Sequence, residues 1–185
     1  NAGRVEQLLG AEQEGKEGTG VGELMARVDE EANLSIAARL EEVGAHVVYG
    51  VVGFKTHAKM LMVLRREDHG YRRYIHLGTG NYHPRTTRIY TDFGLLTCNP
   101  GIGDDVNEVF KQLTGLGKAS ALQYLWQAPF SLHANMLAAI RAETEAARAG
   151  KPARIIAKMN SLLEPEIIET LYEASQAGVT IDLII

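Results

Sequence analysis

His57 and Lys59 are the residues from which the chemistry of this 185-residue chain can be read. They stand two apart in Lys55-Thr56-His57-Ala58-Lys59, ahead of an apolar run that reads as a strand. In a strand, positions i and i+2 share a face, so an imidazole and an ammonium would meet the same ligand. Further on come Gly78-Thr79-Gly80-Asn81, then Arg85, Arg88 and Tyr90. Between Lys55 and Thr91 there are eight Lys or Arg against two Asp or Glu, a local charge of +6. The whole chain is −4, so the remainder carries −10. A concentrated basic site in an acidic protein marks a local anion rather than a general nucleic-acid surface. A neutral imidazole is a nucleophile, an ammonium is a compact cation for phosphate oxygens, and a glycine turn exposes backbone amides. Together these types suit attack on phosphorus.

Each residue also has a plainer reading. A lone histidine is most often structural, Lys59 reads equally as a solvated lysine, and a Gly-Thr-Gly-Asn tetrapeptide is also an ordinary β-turn. Tyr90 reads as a half-buried strand tyrosine. Arg65, Arg66, Arg72 and Arg73 flank a turn between two strands and read as a solvated rim that steers a polyanion. His76 and His83 read as structural, and the single cysteine, Cys98, as a small half-buried residue. It excludes an internal disulfide and fits a reducing compartment.

In sequence order, KTHAKM (55–60), RRYIHLGTGNY (72–82) and RTTRIYTDFGLLT (85–97) make this chain resemble the bacterial polyphosphate kinase family. The catalytic half of that family belongs to the phospholipase D-like superfamily, whose motif is His-x-Lys followed by a small-residue turn ending in Asn. The likeness runs back through GELMARVDEEAN (22–33) and HVVYGVVGFKTH (46–57). It runs forward through DVNEVFKQLTG (105–115) and ARAGKPARIIAKMNSL (147–162) to the last residue.

The resemblance implies a magnesium-dependent, reversible transfer of the ATP terminal phosphoryl group to inorganic polyphosphate. His57 would be phosphorylated, with Lys59 and Asn81 as its catalytic partners. Tyr90, Arg88, Arg85, Lys158 and Asn160 would hold the nucleotide, and ATP or ADP would be the substrate. Arg27 matches a position of the magnesium–phosphate site. An arginine has no lone pair for a metal, so it would act through phosphate oxygens or a water. Asp29, Glu30 and Glu31 read either as magnesium ligands or as acids opening a helix. The resemblance also implies a homo-oligomeric, cytoplasmic enzyme with no nucleic-acid partner, with peripheral association at the inner membrane face as a second location. Two rival readings stay open: another phospholipase D-like phosphodiesterase (a nuclease or lipid hydrolase), and an anion-binding fragment without turnover.

Strands alternating with helices predict an α/β layered fold. Helices are expected over 5–14, 29–43, 104–113, 132–149 and 165–177. Strands are expected over 46–52, 59–65, 71–77, 154–158 and 180–185, with a further strand slot over 19–26. A helix–glycine–strand pattern occurs near both ends of the chain. With the resemblance it implies one nearly complete phospholipase D-like half over 1–127 and the start of a similar half over 128–185, the whole being a piece of a longer protein. One departure from the family is the run Gly18, Gly20 and Gly22 in the first strand slot. Each glycine in a strand interior costs roughly 0.5–1 kcal/mol relative to alanine, which would weaken that strand. Val28, where the family usually has Phe, is a milder change. No apolar run approaches the roughly 20 residues that span a bilayer.

Overall fold

The computed structural model of the chain describes residues 2–21, 30–50, 56–83, 85–115 and 121–185. Its secondary structure is α/β, in two compact units, Asn1–Leu125 and Trp126–Ile185.

In the first unit, α1 (Ala2–Gln13), β1 (Thr19–Val21), α2 (Glu30–Glu42) and β2 (His46–Val48) come first. The strands β1 and β2 pair in parallel, Thr19 opposite His46. Leu9, Leu40 and Ala45 form the small core there, with Ile36, Val43 and Val47 packed against it. Gly44, at φ +99°, ends α2 in the left-handed conformation that a side chain disfavours. Of the three glycines that looked costly, Gly18 lies directly against the Glu12 side chain, and a Cβ on Gly20 would meet Leu40 at an ordinary 3.8 Å. Gly22 and the rest of that strand slot lie outside the described residues, as do residues 51 and 52 of the next expected strand.

The strands β3 (Lys59–Glu67), β4 (Gly70–Gly78) and β5 (Gly94–Thr97) form an antiparallel sheet in the order β3-β4-β5. Asp68 and His69 make the tight turn between the first two, and both strands run longer than the sequence pattern indicated. One face carries Met62, Ile75 and Thr97, and α3 (Pro100–Leu113) packs on β4 and β3. Ile75, Val106 and Val109 are buried in this layer, and Arg73 on β4 pairs with Asp104 at 2.8 Å. The opposite face holds Leu61, Val63, Tyr74 and Leu96, all exposed.

Helix α1 starts at Ala2 and strand β2 ends at Val48, both off the expected bounds, and two further elements differ more. Helix α3 begins at Pro100 rather than at 104. The Asn99 side chain accepts from the Ile102 N–H (3.1 Å), and proline at the first helical position loses no bond, so the Pro-Gly-Ile-Gly opening disguises a capped start. The short strand β5 was not expected, because Gly94-Leu95-Leu96-Thr97 gives too brief a pattern and owes its pairing to β4.

Asp105 on α3 closes this unit. Its carboxylate is 5 % exposed and accepts the backbone N–H groups of Gln123 (3.0 Å), Tyr124 (2.6 Å) and Leu125 (2.9 Å). Burial alone would raise its pKa, but the three N–H donors outweigh it and hold the carboxyl below the ordinary range.

The second unit contains α4 (Leu132–Arg148), β6 (Arg154–Lys158), α5 (Pro165–Gln176) and β7 (Thr180–Ile184). All four stand within a residue of the expected bounds. Strands β6 and β7 pair in parallel with α5 as the crossover, and Ile140, Leu171, Ala174 and Val179 form the core. Glu164 caps α5 by accepting from the Ile167 N–H at 2.7 Å. Among the described residues no helix is long and apolar enough to cross a membrane.

Replacing Asp105 by Ala leaves the partly buried N–H groups of Gln123, Tyr124 and Leu125 without this acceptor and is expected to cost about 1–3 kcal/mol in urea unfolding. The depressed carboxyl contributes stability above its unfolded pKa of about 3.9 and loses it as pH falls through the lower folded value. Asp105→Asn should therefore be less stable than wild type at neutral pH and should unfold with a shallower acid limb. An unchanged acid limb would contradict this account.

Candidate functional site

Lys59 opens β3, and His57 lies two residues before it, outside any regular element. The Lys59 ammonium donates to the His57 carbonyl oxygen (2.6 Å) and lies 3.1 Å from His57 Nδ1. One lysine therefore holds both the backbone and the ring of its neighbour. His57 is exposed and Lys59 half-buried, so the imidazole faces solvent beside a fixed cation.

The sheet register shapes the ground next to this pair. Lys59 stands opposite Gly78, and Gly78 opposite Gly94. Residues opposite one another share a face, so this row of three strands carries a single side chain, that of Lys59. His76 lies in the next row on the same face, with Leu61 and Leu96. Its ring leans over the bare glycines: a Cβ on Gly78 would stand 3.2 Å from His76 Cε1, and one on Gly94 3.2 Å from His76 Nε2. An open cavity of about 280 Å³ at this end of the sheet is lined by Leu77, Gly78, Thr79, Phe93, Gly94 and Leu95.

The turn Gly78–Asn81 leaves β4 from the residue opposite Lys59. The Thr79 N–H donates to the Phe93 carbonyl (3.0 Å), and the Phe93 N–H donates to Thr79 Oγ1 (2.9 Å). Thr79 Oγ1 also reaches Asp92 Oδ1 at 3.3 Å. The Thr79 amide is thus already spent on Phe93, whereas the Gly80 and Asn81 N–H groups bond to nothing among the described residues. The Asp92 carboxylate lies against the Gly80 Cα, where any Cβ would collide with it. The Asn81 side chain is exposed, and the Tyr82 hydroxyl that follows is 2.5 Å from His76 Nδ1.

Arg85, Arg88 and Tyr90 lie in the loop between this turn and Asp92. Thr86–Arg88 form a single 3₁₀ turn, and residues three apart in such a turn eclipse, so Arg85 and Arg88 project on the same side. Both are exposed, and so is Tyr90 at 59 %, in a bend rather than a half-buried strand. Arg65, Arg66, Arg72 and Arg73 stand at the far end of the hairpin, about 20 Å from Lys59 at roughly 3.3 Å per residue. Arg72 donates to Cys98 Sγ (2.8 Å) and Arg73 to Asp104, so half of this rim is engaged within the fold.

Lys158 ends β6 in the second unit and Asn160 follows it, both exposed. Arg27 and Asp29 lie outside the described residues, and of Glu30 and Glu31 only the helical backbone at the start of α2 is described. No group of three His, Cys, Asp or Glu side chains converges among the described residues. The described side chains fit a magnesium ion carried on phosphate oxygens and water, its usual mode with phosphate substrates.

The sequence reading did not single out Thr79 or Asp92, and it set His76 aside as structural. The glycine pair Gly78 and Gly94 was the available signal, but it becomes a signal only once β5 is known to pair with β4.

Comparison with known proteins gives two family models that match the chain. Residues 1–119 match polyphosphate kinase C-terminal domain 1, and residues 125–185 match polyphosphate kinase C-terminal domain 2. The chain is 60% identical over 185 residues to the polyphosphate kinase of Burkholderia multivorans and equally to that of Paraburkholderia phytofirmans. Each alignment covers 98% of this chain and 27% of the relative, so the chain spans about a quarter of the length of these curated relatives. The crystal structure of polyphosphate kinase from Porphyromonas gingivalis matches with a TM-score of 0.85 at 36% identity, over 97% of this chain and 30% of that one.

The fit between Gly80 and Asp92 gives a direct test. Gly80→Ala is expected to turn the exposed Asp92 carboxylate away from Thr79 and to destabilise the protein by up to about 1 kcal/mol, the worth of an ordinary hydrogen bond. In an Asp92→Ala background the same substitution should cost only a small fraction of that. Equal costs in both backgrounds, measured by thermal unfolding, would contradict the contact.

Proposed function

Because the chain belongs to the polyphosphate kinase family, we propose that it carries the phosphoryl-transfer centre of such an enzyme, which passes the ATP terminal phosphoryl group to inorganic polyphosphate through His57. The observation that carries this reading is the fixed His57–Lys59 pair beside a sheet row that is bare except for Lys59. An incoming phosphate meets a cation already beside the nucleophile.

The steps follow from these atoms. When the terminal phosphate arrives, Lys59 exchanges its contact with His57 Nδ1 for the phosphate oxygens, and the imidazole lone pair becomes available. The lone pair forms an N–P bond while the bond from phosphorus to the β-phosphate oxygen breaks, and ADP leaves with those electrons. A terminal oxygen of polyphosphate then attacks the same phosphorus, and the N–P pair returns to the ring. Each step moves charge on the non-bridging oxygens, which Lys59, Asn81 and the N–H groups of Gly80 and Asn81 would stabilise. Magnesium, carried on the phosphates, would neutralise part of their charge. Arg27 would act on the same oxygens, while Arg85, Arg88 and Tyr90, on one exposed loop, would hold the nucleotide.

The wider reading is that residues 1–127 and 128–185 belong to two similar phospholipase D-like halves. The pattern α1–Gly15–β1 in one unit and α5–Gly178–β7 in the other, each with a positive-φ glycine, supports it. Lys158 and Asn160, at a strand end of the second unit, would then help to hold the nucleotide. A homo-oligomeric cytoplasmic enzyme, with peripheral contact at the inner membrane face, rests on the family likeness alone.

His57→Ala, placed in a full-length enzyme carrying this sequence, should lower polyphosphate synthesis from ATP at least a hundredfold, since losing a nucleophile removes the covalent route altogether. Chain synthesis near the wild-type rate would refute the assignment. Cleavage of a phosphodiester substrate, lost in the same variant, would favour the phosphodiesterase reading.

A further inference from the structure

We propose that Tyr82 is a positioning residue for Asn81, acting through His76; this rests on the phosphoryl-transfer reading above. Asn81 and Lys59 sit on different parts of the chain, one in the turn after β4 and the other at the start of β3. They serve one phosphoryl group only if the turn is held at a fixed place against the sheet. The turn is held from both sides. Before Asn81, Thr79 is tied to Phe93 by hydrogen bonds running both ways. After it, the half-buried Tyr82 hydroxyl is bonded to His76 Nδ1 at 2.5 Å, and the two rings lie 5.5 Å apart at 38°.

His76 is a suitable anchor because it is itself placed by the sheet. It sits on β4 on the face that carries Lys59, as a diagonal neighbour about 7 Å away by strand geometry. Its ring rests on the backbone of Gly78 and Gly94, in the space where any Cβ would press on it. One end of the Tyr82–His76 link therefore stands beside Lys59 and the other is covalently joined to Asn81. The His83 N–H also donates to the Asn81 carbonyl (2.8 Å), but only the Tyr82–His76 link ties this side of the turn to the sheet face that carries Lys59, and small displacements of a catalytic group carry large kinetic costs. Tyr82 itself need not touch the substrate for this.

The test uses a full-length enzyme carrying this sequence, with steady-state kinetics of polyphosphate synthesis and thermal unfolding. Tyr82→Phe removes only the hydroxyl, and it should lower kcat about tenfold with KM for ATP changed less than about twofold, the pattern of lost orientation rather than lost binding. The unfolding midpoint should not move. His76→Leu should match it, whereas His76→Asn, which keeps a polar atom at the Nδ1 position, should retain most of the activity. The double variant Tyr82→Phe/His76→Leu should be no slower than either single one, because the two residues act as a unit. A wild-type kcat in Tyr82→Phe, a loss confined to KM, or additive effects in the double variant would each overturn the proposal. His57→Ala is assayed alongside. If it stays active, the phosphoryl-transfer reading and the Tyr82 role fail together. If it is inactive while Tyr82→Phe is normal, only the Tyr82 role fails.

Discussion

The register of one antiparallel sheet sets the conditions for everything else at the site. Lys59 opposite Gly78, and Gly78 opposite Gly94, leaves one ammonium on an otherwise bare row of backbone. A slip of one residue would turn Lys59 to the α3 face and bring Met60 to the site, since strand side chains alternate between faces. The hairpin turn at Asp68–His69 and the packing of Ile75 under α3 hold the register against that slip. The turn that carries Asn81 then leaves β4 from the residue facing Lys59, so its starting point is fixed by the same pairing.

Charge is distributed to match. The basic residues of segment 55–91 are not equivalent once folded. Arg72 and Arg73 engage Cys98 and Asp104, and Lys59 holds His57, while Arg85 and Arg88 project together from one exposed turn. Asp92 is the exception, a carboxylate placed against Gly80 at the edge of a cationic site. Its bond to Thr79 gives it a structural use there, which is to hold the strand entry to the turn.

Much of this was legible in the sequence where the information is local. The second unit was readable almost to the residue because Glu164-Pro165 caps α5 and β-branched runs mark β6 and β7. His57, Lys59 and Asn81 were singled out by their spacing, and the structure brings Lys59 onto His57. What was not legible depends on contacts between distant segments. The strand β5 exists through its pairing with β4, and α3 starts early through a cap that Pro100, Gly101 and Gly103 disguise. The contact of Asp92 with Gly80 and the bond between Tyr82 and His76 leave no mark in local composition. The plainer reading of Tyr90, a half-buried strand tyrosine, does not hold, because the residue is exposed in a bend after the 3₁₀ turn Thr86–Arg88.

The central claim is that the His57 imidazole forms a bond to phosphorus. The most direct measurement is to incubate a full-length enzyme carrying this sequence with ATP alone, quench at neutral to alkaline pH, and locate the phosphate by peptide mass mapping and phosphorus NMR. The account predicts an acid-labile phosphoramidate on the peptide containing His57, which disappears when polyphosphate is added. Phosphate on a different residue, or undiminished synthesis with no phosphorylated His57 during turnover, would contradict it.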